Sequence, residues 1–488
     1  MDTLVTYEQF GAIGDGIADD LAAIVKAHEF ANANHLPVKT DPKACYYLSG
    51  KALTAVIQTD TDWNDSKFII DDRAVENNKA HIFDLQSSLA PVQVEIPALK
   101  KGQKSLGFPL PYDCYLNVTN DNVKQFIRFG LNQNNVFSQT DCFIAKNDGA
   151  ICNQIIWDFE TITQVTALPM DASTLVIKGG MFTTLANGEP STYNYYARGI
   201  NVHRSNVLLE GVSHFVIMEG DTGVPYHGFI RIDDCANVLV KNCYFTGRKI
   251  YVTIGAANLP VSMGSYDISI YRSINVSCVG CRQFNITDPT RWGVYTSNFC
   301  KDLSVYDCVF SRWDAHMGCT NVIIKDSSLG HQCLNAIGHG QLTVENVHAY
   351  GSRLVNLRGD YGCLWDGDLL VKDCVWHLRE GTSEAVSILA ASQREDHNFG
   401  YTCSMPHHIV FENILVDDSQ AAEDFQGVCL FSDYNPLVKD QEIETTHPYQ
   451  LPSSLTVHNV RTVSGREVRL CNNPILAARF KTALAMKP

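Results

Sequence analysis

The sequence predicts an all-β fold, a right-handed parallel β-helix, and two observations carry that prediction: a strand-and-bend phrase that recurs along the chain, and a helix signal placed before it. Copies of the phrase begin at Asn206, Asn237, Asp267, Asp302, Asn321, Gln341, Asp368, His408 and Ser454. Each puts apolar residues at its second and fourth positions, the alternation of a strand with one buried face. Most then carry Asn or Asp at the sixth position, namely Asn242, Asp307, Asp326, Asn346, Asp373, Asn413 and Asn459. A short polar side chain tolerates left-handed dihedrals and bonds its own backbone, which suits a tight bend. The spacing of copies runs from 19 residues (Asp302 to Asn321) to 46 (His408 to Ser454), so some coils are bare and others carry inserted loops. Asn-Gly and Asp-Gly hairpin signals are too sparse for a propeller.

The first 87 residues read as an N-terminal cap and initial coils. Phe10-Gly11-Ala12-Ile13-Gly14-Asp15-Gly16 leads to Asp19-Asp20 and then to Leu21, Ile24, Val25 and Ala27 at helical spacing. The acidic pair is expected to cap that helix and complement its dipole. Residues 88–185 lose the phrase and show alternating segments around Val92, Lys124 and Gln154, which predict an inserted or flanking antiparallel β module; residues 186–488 form the main solenoid. The stretch from Tyr7 to Ala31 resembles the N-terminal entry of the pectate-lyase-like right-handed parallel β-helix superfamily. That resemblance implies a helix closing the open end of the solenoid and a carbohydrate-active protein.

A net charge of −15 and the absence of any basic run argue against nucleic acid or an anionic membrane surface as a partner. No window is apolar and long enough to span a membrane. Seventeen cysteines lie scattered and are read as reduced, buried small hydrophobes, with Cys278 and Cys281 in packing roles. Together with an opening Met1-Asp2-Thr3 that shows no apolar leader, this gives the expectation of a cytoplasmic protein; a secreted chain lacking its signal peptide is the alternative.

Chemistry is sought where outward side chains of adjacent coils stack about 4.8 Å apart. If Ala315 and Met317 point inward, Asp314 and His316 share one outward face beside Trp313. Asn335 projects from the next coil and Arg358 from the one after, while the preceding coil offers Arg291 and Tyr295, flanking Val294. Loops beyond add His339, Asp360, Tyr361, Trp365, Asp366 and Asp368. Carboxylates, histidines, arginines and aromatics in one groove suit sugar cleavage, in which a carboxylic acid of raised pKa protonates the leaving oxygen and a second carboxylate serves as base or nucleophile. Asp314, Asp360, His316, Asp366 and Asp368 are the catalytic candidates; Arg291, Tyr295, Trp313, Asn335, His339, Arg358, Tyr361 and Trp365 are the substrate-binding ones. Gly338-His339-Gly340 is similar to the Gly-His-Gly motif of polygalacturonase-type glycoside hydrolases, and only His339 is carried over from it.

The residues point first to a glycoside hydrolase acting on a poly- or oligosaccharide. A polysaccharide lyase or uronate epimerase is the alternative, with Arg291 or Arg358 neutralising a carboxylate and His316 or a tyrosine as base. A glycan-binding protein of the phage tailspike kind, assembled as a homo-oligomer such as a trimer, is the third reading. No cofactor or metal is expected, apart from calcium for a lyase, since no ligand spacing identifies a metal site.

Overall fold

A computed structural model describes residues 4–129, 134–391, 397–433 and 449–485, with side chains at 294–297 and 483–485 outside the description. Parallel strands stack in three columns that run the length of the solenoid. One column holds the recurring phrase: Val207–Glu210, Ala236–Lys241, Ile274–Val279 and Lys301–Tyr306 pair in sequence. It continues through the long strand Val309–Ala349 to Trp365–His377, His408–Asp417 and Ser454–Thr462. The phrase assigned at Asp267 is corrected by this pairing. Tyr266–Tyr271 belongs to a different column, and the true copy in that coil lies on Ile274–Val279, its head at Asn275, eight residues later.

All seven sixth-position residues adopt left-handed dihedrals, from φ +50 at Asp307 to φ +53 at Asp373 and Asn413. Their side chains stack coil on coil: Asn346 donates to Asp326 at 2.6 Å, Asn413 to Asp373 at 2.7 Å and Asn459 to Asn413 at 3.0 Å. A second ladder, not anticipated, forms at the head of the phrase, where Asn206, Asn237, Asn275, Asp302 and Asn321 are also left-handed. Replacing Asp373 with Val is expected to cost about 1–2 kcal/mol more than Asp373→Gly, since both lose the bond from Asn413 but only the β-branched residue is strained in that dihedral region. Urea denaturation of the two variants checks this.

The solenoid core is an uninterrupted apolar stack closed at both ends. Helix Leu21–Asn34 buries Leu21, Ile24, Ala27 and Ala31 over the first coils. Asp20 does not cap it through its side chain; it accepts from Ile13 and Gly14 at 2.7 and 3.1 Å and so ties down the glycine-rich entry loop. Asp19 instead reaches the Leu21 amide at 3.3 Å. At the other end Leu476 and Phe480 of helix Pro474–Ala485 pack into the core, Phe480 stacking on Phe431. The seventeen cysteines are free thiols, mostly buried, and Cys278 and Cys281 lie in the core.

Between the first coils and the main solenoid, Cys114–Arg128, Asn135–Ala145 and Gln164–Pro169 form an antiparallel sheet with its own core around Leu116, Phe143 and Phe159. The two following strands, Leu175–Lys178 and Met181–Leu185, already pair with solenoid coils on both sides. The module lies against the outside of the solenoid. A buried ion pair, Lys301 to Asp141 at 2.7 Å, pins it there, and Asn153 donates to Asp302 at 2.7 Å. This brings Arg128, at the end of a module strand, beside the third column.

Candidate functional site

The third column carries Tyr266–Tyr271, Gly293–Asn298, residues 313–315, residues 334–336 and Val355–Leu357 on successive coils. Polar residues alternate outward from it, and the loops at its end add Arg358, Asp360 and Tyr361. Asp314 lies at the centre, fully buried. Its Oδ2 accepts from Arg312 at 2.7 Å and from the Tyr266 hydroxyl at 3.1 Å, and Arg358 approaches the same oxygen at 3.3 Å. Arg358 also holds Asp360 through Nε at 3.0 Å and Nη2 at 2.6 Å. Arg128 reaches in from the module to within 3.3 Å of Asp360. Three arginines and two carboxylates thus form one network.

Burial by itself raises the Asp314 carboxyl, but Arg312 and Arg358 outweigh it and hold the group below the ordinary carboxylate range. The same opposition, with Arg358 and Arg128 winning over burial, keeps Asp360 well below that range. His316 is pushed down to about 3, first by burial and then by Arg358, so it is a neutral imidazole. Its Nδ1 is hydrogen-bonded to the Asn298 side-chain oxygen, which makes Nδ1 the N–H and leaves Nε2 as the lone pair. Burial pushes the Tyr266 hydroxyl up to about 12, with Asp314 adding to the effect, so it keeps its proton.

Two cavities flank this network. The first, of about 350 Å³, is walled by Tyr195, Tyr266, Trp292 and Tyr361, with His316 and all three arginines facing it. Trp292 lies under the Arg312 guanidinium at 4.3 Å. The second, of about 390 Å³, opens on the other side of Arg312 and Arg358 and is lined by Asn335, Asn356, Asp360, Ser432 and Asp433. Gly293 is required beside Arg312: a Cβ there would come within 2.7 Å of the arginine's own Cβ.

Among the sequence candidates, Asp314, His316, Asn335, Arg358, Asp360 and Tyr361 come together here. The others do not. Trp313 and Trp365 are corrected to core positions, both fully buried in the solenoid stack, because Trp313 shares the inward phase of Ala315 and Trp365 opens the next coil facing inward. Met317, expected inward, faces the first cavity instead, packed with Phe126 and Phe299 where Gly318 turns the chain. Arg291 is taken up by Glu219 at 2.5 Å, and its neighbour Trp292 lines the cavity. Tyr295 pairs with Trp313 along the backbone, its side chain lying outside the described residues. His339 sits past the corner of the coil, edge-on to Trp157 of the module, with Asp366 at 3.7 Å and His407 on the other Asp366 oxygen at 3.1 Å. Asp368 lies within the strand Trp365–His377, paired with Gln341 and His408, also away from the cavities.

Sequence reasoning missed Arg128, Tyr195, Tyr266, Trp292 and Arg312. Arg312 stood two residues before Asp314, and the run Tyr193-Asn194-Tyr195-Tyr196 was a visible aromatic signal. Arg128 gave none, being brought in by the packing of the module. Among the described residues no group of three or more His, Cys, Asp or Glu is placed to hold a metal ion. Asp314 and Asp360 already face arginines and present no open oxygen cluster, so the donor set does not fit calcium.

No protein-family model and no curated protein matches the sequence. Solved structures do. The tailspike gp61 of Pseudomonas phage phi297 aligns with a TM-score of 0.53 at 10% identity, over 96% of this chain and 79% of that one. The fold is a right-handed parallel β-helix. Other β-helix proteins align at lower scores. The surface adhesin PfbA of Streptococcus pneumoniae gives 0.49 at 12% identity over 96% and 100% of the two chains. A hyperthermoactive exopolygalacturonase of Thermotoga maritima gives 0.42 at 10% identity over 94% and 92%. What distinguishes this β-helix from a bare solenoid is the module-borne Arg128 that meets the network on its third column.

Proposed function

We propose that the protein acts on an acidic poly- or oligosaccharide held in the aromatic cavity. One observation carries this reading: among the described residues Arg128, Arg312 and Arg358 line that cavity and no carboxylate does, and the acids they pair there, Asp314 and Asp360, are two against three, which leaves one positive charge over in an otherwise acidic chain. A uronate-type sugar supplies the missing anion to the planar guanidinium forks while its ring lies on the half-buried Tyr195 or Trp292.

Within this reading the groups present favour elimination over hydrolysis. Hydrolysis draws on a carboxylic acid that carries a proton at working pH, and both carboxylates in the network are held ionised. For elimination, the arginines pair the sugar carboxylate and so acidify the adjacent C–H. His316 Nε2 takes that proton, the double bond forms as the C–O bond to the leaving sugar breaks, and Tyr266 returns a proton to the leaving oxygen.

Incubation with a panel of acidic glycans, recording reducing ends and the ultraviolet absorbance of an unsaturated product, tests the reading. Reducing ends without absorbance would sink elimination and return the site to hydrolysis, and a panel neither bound nor cut sinks the glycan reading as a whole. Because His316 titrates near 3 in the cavity, the acid limb it imposes on kcat/KM is expected near pH 3 and not near 6.5. The same depression means that the unfolded chain takes up this proton first, so the contribution of His316 to stability is lost as pH falls from 6.5 toward 3.

A further inference from the structure

The two cavities that share Arg312 and Arg358 differ in chemistry. The first combines aromatic rings with three arginines. Among the described residues, the second has no aromatic side chain and offers, beside Arg312, Arg353 and Arg358, amides, a hydroxyl and the carboxylates of Asp360 and Asp433. Its core is a pair of stacked asparagines: Asn356 Nδ2 donates to Asn335 Oδ1 at 2.7 Å, while Arg353 donates to Asn356 Oδ1 at 3.2 Å. Each amide has two N–H donors and two acceptor lone pairs, so both keep capacity after these bonds. A surface that can both donate and accept matches sugar hydroxyls, which do the same. Asp360 and Asp433 line this side against its three arginines, whereas among the described residues no carboxylate lines the first cavity, so an anionic ring is favoured in the first over the second.

From this asymmetry, and resting on the acidic-glycan reading, we infer that the second cavity is a subsite for a neutral, hydroxyl-rich sugar, and that the glycan is a heteropolymer in which acidic and neutral residues adjoin across the Arg312–Arg358 pair. A homopolymer of uronates places a carboxylate in both cavities and meets Asp360 and Asp433 in the second. A neutral homopolymer leaves the arginines of the first cavity unmatched. Asn335 and Asn356 therefore set specificity through the sugar next to the acidic one, on successive coils of the third column.

The test is binding of the full chain, by calorimetry, to hyaluronan, chondroitin and gellan as acidic–neutral copolymers, to polygalacturonate as an acidic homopolymer, to dextran as a neutral one, and to free glucuronate. At least one copolymer is expected to bind tenfold or more tighter than polygalacturonate and dextran. Asn356→Leu is expected to remove that preference while leaving glucuronate affinity unchanged, and Arg353→Leu, on an exposed side chain, is expected to weaken copolymer binding in the same way. Polygalacturonate binding as tightly as every copolymer, or Asn356→Leu and Arg353→Leu both keeping the full preference, overturns the subsite and leaves the acidic-glycan reading standing. Dextran bound in preference to every acidic glycan, or no acidic glycan bound at all, overturns both.

Discussion

His316→Gln is expected to lower turnover of an acidic glycan by about 10²- to 10⁴-fold, the usual worth of a positioned general base, with little change in the affinity for that glycan. The reasoning is local. The Asn298 side-chain oxygen fixes the imidazole tautomer, and the ring stands edge-on to Tyr361 at a centroid distance of 5.4 Å, so Nε2 is held in one place on the cavity wall. Glutamine preserves a polar group of similar reach but supplies no basic nitrogen. Steady-state kinetics with a soluble acidic oligosaccharide, alongside calorimetric binding, separates loss of the base from loss of the site. A variant that turns over at the wild-type rate removes His316 from the reaction. A variant that no longer binds makes it a positioning residue.

The second large effect is on stability. Arg198→Met is expected to cost about 3–5 kcal/mol in urea denaturation, the penalty of leaving a buried charge without its partner. Arg198 and Asp72 are both fully buried and meet at 2.7 Å. The same guanidinium donates to the carbonyl of Ser49 at 2.7 Å and to that of Lys51 at 3.3 Å, and so joins separate coils. Burial pushes the Asp72 carboxyl up to about 6 even with Arg198 and Arg248 opposing it, so desolvation outweighs the attraction at this pair. It follows that Asp72→Leu combined with Arg198→Met should recover much of the loss, since an apolar pair removes both charges from the interior. Equal instability of the single and double variants would assign the cost to packing and to the Ser49 and Lys51 carbonyls.

The cleft and this ion pair were legible in the sequence to very different degrees. Arg198 and Asp72 lie 126 residues apart and carry no local signature, and their pairing exists because two loops of the solenoid stack. Asp314 and His316 were visible because they alternate with the buried Ala315 on one strand, and Asn335 and Arg358 because they follow the same alternation one and two coils later. Trp313 and Trp365 were misplaced by the same logic. Large aromatics suggest sugar contacts, but at the inward phase of a strand they fill the core.

The sequence by itself determined the repeating unit. A period-two apolar pattern followed by an Asn or Asp in a left-handed bend is a local property, fixed by sterics and side-chain hydrogen bonding within a few residues, and the φ values of Asn242 through Asn459 follow it closely. It also determined the cap position, since an apolar helix needs a face to cover. Only the tertiary structure decided which coil corner opens into a cavity, that the module lies beside the third column, and that Arg128 thereby joins Arg358 on Asp360. It decided the protonation states too: whether a carboxyl is a proton donor or a permanent anion depends on the guanidinium groups within a few ångströms, and those arrive from distant parts of the chain.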